Sequence, residues 1–133
     1  MNRETIVNFL NTYNYEYSEN EQVVSVELEF NQLVFIEFKL NHQIEITDKL
    51  IGWNFLTGLF EMSFKKAVRY NMIGAVIAPI VIILVACFLE TDLLFVLIFS
   101  GLLIITLFYM LFFLVFYHTQ LENFKTRIMS LSD

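Results

Sequence analysis

The chain has 133 residues, 57% of them hydrophobic and 17% charged, with a formal net charge of −6. Soluble domains run at about 45–50% apolar and about 25% charged, so the composition points to lipid. The acidic balance excludes general nucleic-acid binding, which needs Lys and Arg to neutralise phosphates, and the single Cys87 excludes an intrachain disulfide.

Residues 1 to 20 alternate polar and apolar side chains without an apolar core segment, so no signal peptide is expected there. RETIVNFLNTY, residues 3 to 13, places Ile6, Phe9, Leu10 and Tyr13 at helical spacing, with Asn2 as N-cap. Tyr13, Tyr15 and Tyr17 then alternate with polar residues, as an extended lead-in or a helix persisting to Tyr15, and SENE at 18 to 21 predicts a turn. In residues 22 to 30, Val24, Val26, Leu28 and Phe30 share one face, opposite Ser25, Glu27 and Glu29. Asn31-Gln32 predicts a turn. In residues 33 to 40, Val34, Ile36, Phe38 and Leu40 share a face, opposite Glu37 and Lys39. Asn41-His42-Gln43 predicts another turn, and Ile44 to Thr47 opens a third strand. Period-two alternation between polar turns predicts an antiparallel meander with one solvated face, covered by the amino-terminal helix. A fold of about 50 residues buries little surface and calls for outside support.

Residues 52 to 71, GWNFLTGLFEMSFKKAVRYN, are too polar to span a bilayer and too aromatic for a plain linker. A helix over 59–70 would align Glu61, Lys65 and Arg69 as a polar ridge opposite Leu59, Phe60, Phe64, Ala67, Val68 and Tyr70. Such a helix lies in a membrane interface, packs on the sheet, or continues from Leu59 to Leu89. Trp53 and Phe55 suit headgroup depth, and Gly52 and Gly58 break structure on either side of WNFLT.

Residues 72–89 and 93–117 are two runs free of charge, each long enough to cross a bilayer as a helix. Glu90-Thr91-Asp92 between them is short enough to force a hairpin, with Thr91 or Asp92 capping the second helix. Pro79 interrupts the first run. Gly74 and Ala78, with Ser100-Gly101 in the second run, are small residues that permit close helix packing, within the hairpin or in a homodimer. Lys65, Lys66 and Arg69 precede the hairpin and Lys125 and Arg127 follow it, whereas the turn has no base, so the two termini are expected in the cytoplasm of a cell-membrane (inner-membrane) protein. Phe112, Phe113, Phe116 and Tyr117 read as an interfacial belt, and Leu121, Phe124, Ile128 and Leu131 as a short amphipathic helix of the cytoplasmic tail.

The expected organisation is an α+β membrane protein: a cytoplasmic helix-plus-meander domain at 1–51, an amphipathic junction at 52–71, a transmembrane hairpin at 72–117 and a tail at 118–133. Trp53, Phe55, Phe60, Phe64, Tyr70, Phe116 and Tyr117 are the candidate membrane-interface residues. No catalytic, cofactor-binding or metal-binding motif is legible. His42 and His118 read as solvated or interfacial, Cys87 as a small apolar residue. Glu27, Glu29, Glu37 and Glu45 read as a solvated face or a dock for a basic partner. The expected partners are the lipid bilayer and a second copy or another membrane protein. The expected role is non-catalytic anchoring, regulation or service as a complex subunit. The alternatives are a membrane-embedded immunity or stress protein and, with no ionisable side chain inside either run, a less favoured transport or lipid-handling component.

Overall fold

The computed structural model describes residues 3–20, 22–39, 44–88 and 92–131. The expected cap Asn2, Glu21 of the SENE turn, Leu40 with the turn at 41–43, and Leu89, Glu90 and Thr91 at the head of the hairpin lie outside the described residues. The chain forms α1 (Arg3–Thr12), β1 (Glu16–Glu19), β2 (Val23–Leu28), β3 (Gln32–Phe38), β4 (Ile44–Leu50), α2 (Phe64–Phe88) and α3 (Leu93–Met129). The strands make one antiparallel sheet in sequence order. The architecture is therefore the expected α+β sheet-and-helix unit followed by an apolar helical hairpin.

Helix α1 buries Ile6, Phe9 and Leu10. It stops because Asn14 takes a left-handed φ of 53°, which a short polar side chain tolerates. The Asn14 N–H donates to the Asn11 carbonyl (3.3 Å) and the Tyr15 N–H to the Leu10 carbonyl (3.0 Å). These bonds satisfy carbonyls the helix end would otherwise orphan. Tyr13, expected on the buried face, is instead exposed, its ring tilted 46° to that of Phe9 at 4.8 Å.

Two strand expectations change. The sheet has four strands rather than three, because the Tyr-rich lead-in becomes β1, pairing Glu16 with Glu27 through Glu19 with Val24. Ser18 and Glu19 thus belong to a strand rather than to a turn. The β2–β3 connection is Glu29, Phe30 and Asn31, not Asn31-Gln32. Phe30 and Asn31 adopt φ of 57° and 62°, so Phe30 leaves the apolar face it was expected to share.

Val24, Val26 and Leu28 of β2 and Val34 and Ile36 of β3 are buried on one face, as the alternation required. Their cover comes from both ends of the chain: Ile6, Phe9 and Leu10 from α1, and Leu121, Phe124 and Ile128 from α3. The tail forecast as a separate short helix is the continuation of α3, which runs for 37 residues, about 55 Å at 1.5 Å per residue. Burying one aliphatic or aromatic side chain of this size stabilises by about 1.5–3 kcal/mol, so the three α3 side chains are a substantial share of what a small domain needs.

Helix α2 runs 25 residues through Pro79, which has no N–H to donate to the carbonyl four residues back. Both α2 and α3 are long and apolar enough to cross a membrane, and none of the most apolar stretch of either is buried inside the protein. At the start of α3, Asp92 occupies the expected N-cap position with an extended backbone, but its carboxylate makes no capping hydrogen bond. Its carbonyl accepts instead from the Phe95 N–H at 3.0 Å.

Candidate functional site: the junction between the sheet and the apolar hairpin

Of residues 59–70, expected to form an amphipathic helix, 59–63 are an ordered loop, whereas 64–70 are helical and open α2, which continues into the first apolar run. Backbone bonds in both directions close the Asn54–Gly58 turn (2.9 and 3.0 Å). The Asn54 side-chain oxygen accepts from the N–H groups of Leu56 (3.1 Å) and Thr57 (2.8 Å). The Thr57 hydroxyl donates to the Phe60 carbonyl at 2.6 Å. Gly58 closes the turn at φ 64°, a region that penalises a Cβ. Leu50 and Met62 then exchange backbone hydrogen bonds of 2.8 and 3.2 Å, extending the edge of β4. These bonds hold residues 54–62 out of helical geometry, despite their helical apolar spacing. The proposed Glu61–Lys65–Arg69 ridge does not form, because Glu61 lies off the helix and pairs with Lys49 at 2.6 Å. The bond from Lys49, then one from the Gly52 N–H, holds the Glu61 carboxyl below its usual range.

The loop is also tied to every neighbour. Asn31 donates its side-chain amide to the Trp53 carbonyl (2.6 Å) and accepts the Ile51 N–H at its own carbonyl (2.9 Å). Asn71 of α2 donates to the Leu56 carbonyl at 3.1 Å. Asp48 of β4 accepts the Phe64 N–H at 2.6 Å. That bond puts a carboxylate on the first turn of α2, where orphan donors and the positive end of the helix dipole favour it. Tyr117 of α3 is fully buried, donates to the Phe30 carbonyl (2.9 Å) and accepts from the Phe55 N–H (3.4 Å). Around this bond Phe55 stacks on Phe113 (4.2 Å, 10°), and Phe30 meets Phe55 and Phe116 edge-on at 5.3 and 5.1 Å.

No family model, curated protein or solved structure matches this chain.

The seven candidate interface residues divide into two groups. Trp53, Phe60 and Tyr70 are exposed, with Leu59 beside them. Phe55, Phe64, Phe116 and Tyr117 turn inward and build the seam: Phe64 stacks on His118 at 5.9 Å, and Tyr117, expected at the lipid surface, is enclosed. Lys65, Lys66 and Arg69 are exposed on the first turns of α2. At the same end of the hairpin, Lys125 pairs with Glu122 (3.1 Å) and the Arg127 guanidinium lies 5.9 Å from the centre of the Tyr13 ring. Gly74 and Gly101 face open space, where an added Cβ would meet nothing within 4 Å. Neither glycine is therefore required for α2 and α3 to approach each other within one chain. Ala78, Pro79 and Ser100 are half-buried.

Sequence reasoning missed the polar residues that hold the seam: Asn31, Asp48, Asn54 and Asn71. NFLTG did carry a signal, an Asn four residues before a Gly, which is turn chemistry. Asp48 carried none, because it serves a helix start 16 residues away.

Below the β2–β3 turn, on the side of α3 away from α2, lies an open groove of about 740 Å³. Phe108, Leu111, Phe112, Val115 and Phe116 line its apolar length, and Glu29, Thr119, Gln120 and Asn123 its end. An adjoining depression of about 590 Å³ is polar and shares Glu29, Gln120 and Asn123 with the groove.

Proposed function

We propose that the chain is a two-span cell-membrane (inner-membrane) protein with both termini in the cytoplasm, which holds its sheet at a fixed position against the bilayer as a non-catalytic anchor or subunit of a membrane complex. The observation that carries this reading is the nakedness of the hairpin. The most apolar stretches of α2 and α3 are wholly uncovered by the rest of the chain, far beyond the apolar patch a soluble monomer exposes. The bases at the sheet end of the hairpin support a cytoplasmic sheet. Exposed Trp53, Leu59 and Phe60 on the loop at that end suit headgroup depth.

The anchoring role follows from how the sheet is mounted. The sheet is packed directly on α3, because Leu121, Phe124 and Ile128 of that helix are part of its core. A partner docked on the sheet would be held at one height and angle relative to the hairpin. The outer sheet face offers such a dock. Glu16 lies directly across from Glu27, a like-charge pairing that disfavours the free sheet and favours a basic partner, whereas Glu45, across from Glu37, is paired with Lys39. Alkaline extraction of native membranes tests the reading first. The protein is expected in the pellet, and quantitative release as a soluble monomer would overturn it. A reporter fused after Asp133 should signal from the cytoplasmic side. Crosslinking in mild detergent should capture a partner or a second copy.

A further inference from the structure

The groove on α3 changes chemistry along its length, and this change defines an occupant. Its apolar floor runs from Phe108 to Phe116, then Glu29, Thr119, Gln120 and Asn123 close its end beneath the β2–β3 turn. The adjoining depression continues to Glu16, Glu27 and Arg127. Positions 116, 120, 123 and 127 follow helical spacing, so one face of α3 carries the whole progression from hydrocarbon to charge. The Gln120 side-chain oxygen is buried without a hydrogen-bond partner. A buried acceptor without a donor is costly, so the site calls for an N–H or O–H from outside. Glu16, Glu27 and Glu29 line the depression together with Arg127, and among the described residues no carboxylate forms an ion pair with Arg127.

We propose that this composite groove binds one phospholipid with a primary-amine headgroup. An acyl chain lies along Phe108 to Phe116, and the phosphate meets the Thr119 hydroxyl, the Asn123 amide and Arg127. The ammonium faces Glu29 and donates one N–H to the Gln120 oxygen. The carboxylate excess disfavours a net anionic lipid, and a quaternary choline headgroup has no N–H to offer. This inference rests on the membrane reading.

The test uses the full chain, purified from membranes, stripped of lipid in detergent and examined by native mass spectrometry. Phosphatidylethanolamine, phosphatidylcholine and phosphatidylglycerol are added at equal concentration. The expected result is about tenfold preference for phosphatidylethanolamine, abolished by Gln120→Leu and by Glu29→Gln. Filling the trough with Val115→Trp should lower occupancy by all three lipids, whereas Ile83→Trp on α2 should leave it unchanged. Far-UV circular dichroism checks that each variant folds, and the lipid ranking of the unmodified chain decides the matter if one does not. Equal occupancy by the three lipids, or a second copy crosslinked through the groove, would overturn the proposal. In either case alkaline extraction still reports on the membrane reading independently.

Discussion

Phe30 is the residue where local and global preferences conflict most directly. A bulky side chain at φ 57° is strained by about 1–3 kcal/mol, and three aromatic contacts plus the Tyr117 bond hold it there. Tyr117→Phe keeps the ring and removes only the hydroxyl, leaving the Phe30 carbonyl without its donor. It should destabilise the protein by about 1 kcal/mol and shift the emission of Trp53, the only tryptophan, whose ring lies 4.8 Å from that of Phe55. Thermal unfolding monitored by that fluorescence checks both effects. Gly58→Ala isolates backbone strain, since its Cβ would meet nothing within 4 Å at φ 64°. The cost should be about 1–2 kcal/mol, read from the same transition. No change would mean that the Asn54–Gly58 turn relaxes freely.

At the scale of elements, legibility followed the source of the ordering forces. Strands β2 and β3 were legible because Val24, Val26, Val34 and Ile36 bury one face, and burial writes its period into the sequence. Strand β1 was not, because the four residues EYSE are paired by β2 and bury little of their own. Residues 59–63 misled for the opposite reason: Leu59, Phe60 and Phe64 are spaced for a helix, yet Asn54, Thr57 and the Leu50–Met62 bridge fix the backbone first. The start of α2 depends on Asp48, so Asp48→Asn should weaken its first turn and cost about 1 kcal/mol, visible as faster amide exchange over Phe64 to Ala67. Glu61 supplies a pH test of the loop. Its folded-state acidity is strengthened chiefly by Lys49, so its contribution is present above the ordinary carboxylate range and fades as pH falls through the lowered folded value. The pair is exposed and the effect small. In Glu61→Gln the acid-side loss of stability should be shallower than in the parent chain.

For the whole molecule, the sequence divides the chain more cleanly than the fold does. A domain ending at residue 51 contains every strand, but it lacks Leu121, Phe124 and Ile128, which close the core from the other end of the chain. Their spacing was readable as amphipathic; their destination was not, because no local pattern names the partner of an apolar stripe. The fragment 1–51 should therefore give a collapsed amide proton spectrum, whereas the full chain in detergent gives a dispersed one. Phe124→Ala should cost about 3–5 kcal/mol, enough to unfold the sheet while leaving the hairpin helical by circular dichroism.

The uninterrupted course of α3 has a mechanical consequence. A helix of about 55 Å whose last turns are locked into the sheet cannot adjust its tilt without carrying the sheet with it. In the bilayer we propose for it, hydrophobic mismatch is relieved by tilting. A thinner or thicker membrane would thus lean the acidic outer face toward or away from the headgroups, making the sheet a gauge of membrane thickness.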